Sequence, residues 1–255
     1  MKLTAVLRVK DEILCIKECL SKLSTLTDEI IVLDNGSTDG TLEAIGEFNK
    51  VVKIIHTEGY HEGRDMCFLL EEAKKRNPDW ILWMDGDEVF EQNFTRSAID
   101  EYMKSKYSKI LFKLCHFWLS KEYFRLDSFF FSYTMGPQRS MWRNVPSAYF
   151  SSKKMHHGDI RGIIGKTYIS PYRIKHFGCI DRKKMREKYE RYVAVDDTNE
   201  RTYKLLNPDA KVVKIKFVEF KNKLTNKIYI LIYKYITDLI HQLILIKRFL
   251  VRKIL

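Results

Sequence analysis

The chain has 255 residues, 45% hydrophobic and 13% aromatic, and its 45 Lys+Arg against 33 Asp+Glu give a formal net charge of +12. That length and apolar content support one large α/β domain, alone or with an extension, and exclude a disordered chain. Five scattered cysteines, odd in number and without C-x-x-C spacing, fit reduced thiols in the cytosol better than a disulfide scaffold or a zinc site.

The charge is unevenly spread. Residues 1–100 hold 12 Lys/Arg and 20 Asp/Glu, a balance of −8, so the remainder carries +20. An acidic first part with a basic second part suggests a site in one and an anionic surface or partner for the other. The opening "MKLTAVLRVKDE" puts charges where a signal peptide needs an apolar run, and no window of 18 uncharged apolar residues occurs. Neither a leader nor a spanning helix is therefore expected.

In chain order, "LTAVLRV" (3–9) predicts a strand, and Ile13, Ile16, Leu20 and Leu23 mark a helix over 13–26 in which Cys15 and Cys19 read as core. "EIIVLD" (29–34) is a second strand, followed by the turn "NGSTDG" and a helix beginning "TLEAIGEF". "VVKII" (51–55) is a third strand, and a helix runs from about Arg64 to Arg76. "WILWM" is the fourth strand and ends in "DGDE". This alternation predicts a mostly parallel sheet with helices on its faces, where ligands bind at the carboxyl ends of the strands. The acidic clusters Asp11 with Glu12, Asp34 with Asp39, and Asp85 with Asp87 all fall at such ends, which makes them one site. Beyond residue 100, "KILFKLCHFWL" and "YISPYRIKHFG" read as strands and Asp181 to Val195 as a charged helix. From Leu224 onward, apolar residues recur every three or four positions, with Lys and Arg on much of the remaining arc.

A D-x-D at a strand end offers hard oxygen ligands suited to Mg²⁺ or Mn²⁺, and Gly86 lets the backbone turn so that both carboxylates reach one ion. A solvated acidic turn is the other reading of that stretch alone. Asp34 could accept a base N–H or ribose hydroxyls of a nucleotide, while Asp39 suits a helix cap.

In this order, "LRVKDE", "IVLDNGSTDGT" and "ILWMDGDEVF" resemble the family 2 glycosyltransferases of GT-A fold. That family shows an acidic pair after the first strand, a D-x-S-x-D-x-T turn (here Asp34, Ser37, Asp39 and Thr41) and then D-x-D. "GPQRSMWR", "KMHHGD" and "RIKHFG" are similar to later arginine, His-acid and His-aromatic-Gly elements of bacterial members that build surface polysaccharide or lipopolysaccharide.

The resemblance implies a Rossmann-like α/β domain over 1–204, with a nucleotide-sugar half (1–100) and an acceptor half (101–204). Residues 205–255 would be a basic amphipathic helical extension. It further implies that Arg8, Asp11, Glu12, Asp34, Arg64, Asp85, Arg139 and Arg143 bind the nucleotide sugar. Asp85, Asp87 and His176 would hold Mn²⁺ or Mg²⁺. Asp159, with Glu88 and Asp127 behind it, would be the base of an inverting transfer; the family's His-Glu element is here His157-Gly158-Asp159. The implied partners are a nucleotide-sugar donor, a glycan or lipid-linked acceptor and, through the tail, an anionic membrane surface at the inner face of the cell membrane. The tail's other reading is packing on the domain or on a second subunit. No nucleic-acid-binding pattern is present. Two rival readings stay open: a haloacid-dehalogenase-like phosphatase using the D-x-D as nucleophile site, with "VAVDD" as its later motif, and a non-enzymatic basic membrane-binding module.

Overall fold

The computed structural model describes residues 1–125, 137–154, 158–195, 214–217 and 219. The first part follows the predicted alternation: β1 (Leu3–Val9), α1 (Ile16–Leu26), β2 (Glu29–Asp34), α2 (Thr41–Gly46), β3 (Val51–His56), α3 (Glu62–Lys75) and β4 (Trp80–Asp85). β1, β2 and β4 are buried almost throughout, as parallel strands covered on both faces must be. Helix α1 starts three residues later than its apolar pattern suggests. The N–H groups of Cys15 and Ile16 both bond to the Glu12 carbonyl, so residues 13–15 form a turn that carries Glu12 at its base.

Four elements had no clear sequence signal: β5 (Glu88–Phe90), α4 (Arg96–Lys104), β7 (Tyr123–Arg125) and β8 (Pro137–Arg143). β6 (Tyr107–His116) and β9 (Lys166–His176) fall where strands were expected. The eight-stranded sheet runs β3-β2-β1-β4-β8-β6-β9-β5. β1 to β4 are parallel, β8 enters antiparallel between β4 and β6, β9 lies parallel to β6, and β5 closes the edge antiparallel to β9.

Two apolar layers cover the sheet. On one face α1 buries Ile16, Cys19, Leu20, Leu23 and Leu26 beside Ile99 and Met103 of α4. On the other, α3 buries Met66, Leu69, Leu70 and Ala73 against Trp83, Trp142 and Phe150. Each large aliphatic side chain so buried contributes about 1.5–3 kcal/mol, which holds the strand ends in fixed register.

After β9 the chain turns through Phe177–Asp181 into α5 (Arg182–Val195), where Asp181 caps the helix by accepting from the Lys184 N–H at 2.9 Å. β10 (Lys214–Lys216) pairs antiparallel with β7. That stretch was expected in the helical extension and is instead a strand. The remainder of the extension, like Asp127 and His157, lies outside the described residues. Among the described residues no helix is long and apolar enough to cross a membrane.

Candidate active site at the strand ends

Register brings the acidic clusters together. Arg8 of β1 pairs with Asp85 of β4, and Val9 with Asp34 of β2, so three strand ends share one edge. The turn after β4 packs tightly on β1. A Cβ on Gly86 would come within 2.8 Å of Val9 Cγ1 and 3.2 Å of Glu12 Cγ, which is why this position takes no side chain. Glu88 reaches back to accept the Asp85 N–H at 3.0 Å and fixes the turn.

The second half of the chain supplies the cations. Because β8 runs antiparallel to β4, pairing Trp80 with Arg143 sends Arg139 to the opposite end, where the carboxylates are. Arg139 Nη2 lies 2.5 Å from Asp85 Oδ2 and 2.6 Å from Glu88 Oε1, and Arg139 Nε donates to Glu88 Oε2 at 2.7 Å. Its guanidinium also lies over the Trp83 ring at 4.3 Å. Glu88 is fully buried, and burial pushes its carboxyl up to about 8 despite the pull of Arg139.

β9 ends at His176, which pairs with Glu88 of β5 and His116 of β6. His176 Nε2 is 3.4 Å from Asp87 Oδ2, and His176 Nδ1 is 2.9 Å from His116 Nδ1. Burial lowers His176 to about 4, so the ring is neutral near pH 7. A neutral His176 that donates from Nδ1 to His116 presents its Nε2 lone pair toward Asp87, the state in which imidazole ligates a metal.

Helix α5 covers the strand ends with one basic face. Lys184, Lys188 and Arg191, spaced four and three apart, line the same clefts as Asp11, Glu12 and Asp87. Lys184 donates to the Asp11 carbonyl and lies 3.6 Å from Asp39. Lys188 Nζ is 3.5 Å from Asp87 Oδ2. Gly178 makes this approach possible: a Cβ there would collide with Asp87 Oδ2 and lie 2.8 Å from Lys188 Nζ. Burial works against the charge on Asp87, but His176, Lys188 and Arg139 outweigh it and hold the carboxyl well below the usual range. Glu12, half-buried beside Asp87, is pushed up to about 8 by desolvation and then by its acidic neighbour.

The predicted residues divide into three groups. Asp85, Asp87, Glu88, Arg8, Glu12, Arg139 and His176 converge, and Asp11 lines the adjoining cleft. Asp34 lies beneath it, fully buried, with its oxygens accepting the N–H groups of Gly36 at 2.9 Å and Ser37 at 3.1 Å. Its visible work is to shape the turn, while its neighbour Asn35 faces the cleft. Arg64 folds back on Asp65, at 2.8 and 2.9 Å, and on the Gly59 carbonyl.

Arg143 is the clear correction. It bonds the carbonyls of Ser105 at 2.8 Å, Tyr107 at 3.1 Å and Met103 at 3.3 Å. It sits opposite Trp80, five residues down β4 from Asp85, or about 16 Å at the usual strand rise. Arg143 therefore stands away from the strand ends where Arg139 meets the carboxylates. Asp159 accepts from Ser140 Oγ at 2.7 Å and pairs with Lys109 at 2.5 Å.

For a divalent ion, one ligand atom each of Asp87, Glu88 and His176 lie within 4.8 Å of one another. Asp85 Oδ1 is buried with no hydrogen-bond partner, although Asp85 Oδ2 is held by Arg139. Hard carboxylate oxygens beside a neutral imidazole fit Mn²⁺ or Mg²⁺. The grouping brings Glu88 beside Asp87 and His176, but both Glu88 oxygens face Arg139, whereas Asp85 keeps Oδ1 without a hydrogen-bond partner. Sequence reasoning missed His116, Tyr60, Asn35, Lys188 and Arg191. For the two α5 residues the charged helix was legible, but not which of its faces turns inward.

The glycosyl transferase family 2 model matches residues 4–155. This chain belongs to glycosyl transferase family 2. Family membership displaces the dehalogenase-like reading, and residues 193–195 of "VAVDD" are helical. No curated protein matches the chain. Among solved structures, residues 1–349 of S. aureus TarS in complex with UDP are 16% identical with a TM-score of 0.50, covering 81% of this chain and 69% of that one. S. aureus TarS itself gives 16% identity and a TM-score of 0.49, and this chain spans only 42% of its length. GalNAc-T7 with UDP, GalNAc and Mn²⁺ is 12% identical over 69% of this chain and 44% of that chain, with a TM-score of 0.46. At these identities the likeness is one of fold, and the fold of this family 2 member is GT-A.

Proposed function

We propose that the chain transfers a sugar from a nucleotide-sugar donor to a hydroxyl of a glycan or lipid-linked acceptor, with inversion at the sugar carbon, and that residues 1–204 are its catalytic unit. The observation that carries this reading is the pairing of Asp87 with a neutral, oriented His176 at the parallel strand ends. Asp87, His176 and Asp85 Oδ1 would hold Mg²⁺ or Mn²⁺, which neutralises charge on a diphosphate when bound. The nucleoside would lie along Arg8, Asp11, Glu12 and Asn35, all of which line the cleft.

In the transfer, the acceptor oxygen forms a bond to the sugar carbon as the bond from that carbon to the phosphate oxygen breaks. The electron pair stays on the diphosphate, and the acceptor proton passes to a carboxylate. Asp159 is proposed as that carboxylate. Its side chain is 38% exposed, pairs with Lys109 and accepts from Ser140, next in sequence to Arg139. Glu88 is proposed as a positioning residue, since it is wholly buried and spent on Arg139 and the Asp85 N–H. Docking on an anionic membrane is proposed for the basic tail, outside the described residues.

The test is a panel of nucleotide sugars assayed for Mg²⁺- or Mn²⁺-dependent hydrolysis and transfer. Asp87→Asn should lower turnover at least about 100-fold while the protein stays folded, the scale of losing one electrostatic stabiliser of the leaving group. Silence of the wild type across the panel, or full turnover by Asp87→Asn, overturns the assignment. Asp159→Asn should keep donor binding and lose transfer.

A further inference from the structure

The loop that carries Asp159 is tied off at its neck. Tyr149 and Arg161 exchange both backbone hydrogen bonds, at 3.1 and 2.9 Å, and Ser147 Oγ donates to the Gly162 carbonyl at 2.7 Å. Gly162, with φ at 78°, permits this approach, because a Cβ there would collide with the Ser147 carbonyl. Within the loop, the carbonyls of Lys153 and Lys154 accept the N–H groups of Gly63 and Glu62 at 3.0 and 2.9 Å, so the loop also rests on the start of α3. That start borders the cleft, since Glu62 pairs with Arg8 at 3.5 Å.

Phe150 and Ile160 turn inward to the α3 layer, so their chain neighbours Tyr149 and Arg161 turn outward, side by side across the bridge. Tyr149 is 53% exposed, and Arg161 is exposed beside it. The charge around this pair is one-sided. Residues 137–175 hold eight Lys/Arg and a single acid, Asp159, which pairs with Lys109 of β6. Four of the eight cations are taken up within the fold, by Asp85 with Glu88, by backbone carbonyls, by Glu91 and by Glu219. The other four, Lys153, Lys154, Arg161 and Lys166, are exposed and have no acid partner among the described residues.

We propose that Tyr149 and Arg161 form an acceptor subsite that takes an anionic saccharide, one whose sugar units bear a phosphate or a carboxylate. The Tyr149 ring offers a flat apolar face to the C–H side of a sugar, and the Arg161 fork offers paired donors to the two oxygens of an anionic group. Arg161 lies two residues from Asp159, about 7 Å along an extended chain, which is within the reach of one sugar unit from the carboxylate proposed as base. Lys153 and Lys154 carry the positive field along the rim toward the cleft and raise the local concentration of a polyanion. A neutral acceptor would leave these cations unanswered. This inference rests on the glycosyl-transfer reading for calling the bound saccharide an acceptor. The subsite itself rests on the geometry.

Calorimetry on the full chain tests this with three saccharides of one length: maltotetraose, maltotetraose phosphate and a hyaluronan tetrasaccharide. The two anionic ones should bind about 10-fold or more tighter than neutral maltotetraose, the effect of one charged hydrogen bond, and lose that margin in Arg161→Gln. Arg161→Lys should restore part of it. Tyr149→Ala should weaken all three about 3–10-fold, the worth of one aromatic contact, and Tyr149→Phe should bind like wild type. The bridge is made by backbone atoms and both side chains are exposed, so these variants keep the fold, which circular dichroism checks. Equal affinity for neutral and anionic saccharides overturns the subsite, as does unchanged affinity in Arg161→Gln or a wild type that binds none of the three. An equal loss in Lys166→Gln, outside the loop, also overturns it, by showing diffuse charge alone. So does an Arg161→Gln variant that keeps the saccharides and loses phosphatidylglycerol vesicles, which makes the face a membrane contact. Anionic saccharide binding that depends on Arg161, in a protein silent toward every nucleotide sugar, leaves the subsite standing and removes the glycosyl-transfer reading. Sugar transfer with saccharide affinity indifferent to Arg161 and Tyr149 does the reverse.

Discussion

The parallel half of the molecule, β1 to β4, and the mixed half that follows contribute opposite charges to one place. Asp85, Asp87, Glu88 and Glu12 come from the first hundred residues, and Arg139, His176, Lys184 and Lys188 come from the second. Arg8 is the exception, a first-half cation facing Asp85. The net charges of −8 and +20 on the two parts are therefore the sequence trace of a site assembled from both. The difference also separates two kinds of placement. The acidic residues are set by local strand-turn geometry, whereas the basic ones depend on pairings with partners 50 or more positions away.

That contrast breaks most severely at Arg139. Arg139→Met strands Glu88 and Asp85 without their shared cation, and denaturant unfolding should show a loss of about 3–5 kcal/mol. Adding Glu88→Gln should recover part of the loss, whereas Arg139→Lys should recover little, because an ammonium cannot span two carboxylates as the guanidinium fork does. Full stability in Arg139→Met would show that the halves do not depend on one another's charge.

His116 sharpens the comparison from behind the His176 ring, which it meets at Nδ1. His116→Phe removes the partner of His176 Nδ1, and Mn²⁺ affinity should fall about 10–100-fold with the fold retained. His116→Asn, which keeps an acceptor, should recover much of it. Equal Mn²⁺ affinity in wild type and His116→Phe would show that His176 orients itself.

The metal-free protein should also report on this pair through pH. His176 is held neutral by burial down to about 4, while the unfolded ring takes a proton near 6.5. Between those values the unfolded ring binds more protons, so the His176 contribution to folding stability falls as pH drops from 6.5 toward 4, against the opposite trend from Glu12 and Glu88. Relative to wild type, the thermal midpoint of His176→Gln should rise less, or fall more, as pH goes from 4 to 6.5. An unchanged slope would place the acid sensitivity elsewhere.

Arg143 gives the smallest expected effect and serves as the control for Arg139. Arg143→Gln should cost about 1–2 kcal/mol from its carbonyl bonds and leave catalytic constants unaltered. A fall in turnover would put the far end of β8 into the reaction after all.

The contrast explains what the sequence disclosed. β1, β2 and β4 are largely apolar runs that end in acids beside turn-forming residues, so pattern alone located Asp11, Asp34, Asp85 and Asp87. β5 and β7 have three residues each, too few to show a period, and α4 buries only Ile99 and Met103. β8 carries two arginines that look equivalent in "RSMWR". Only its antiparallel direction sends one to the carboxylates and the other about 16 Å away. Arg191 and Lys188 stood in an evidently charged helix, but nothing local says which of its faces turns inward. Asp34 shows the converse limit: a carboxylate in the right motif can spend both oxygens on its own backbone.

Gly178 sets the gap between α5 and the acidic strand ends by the thickness of a missing methyl group. Its backbone passes where Asp87, His176 and Lys188 come nearest, with no room there for a Cβ. The position is in effect a spacing gauge: its atoms carry no charge of their own, yet they set how far apart the charges stand. A chemist wishing to widen the gap without altering one ionisable group would begin there, one methyl at a time.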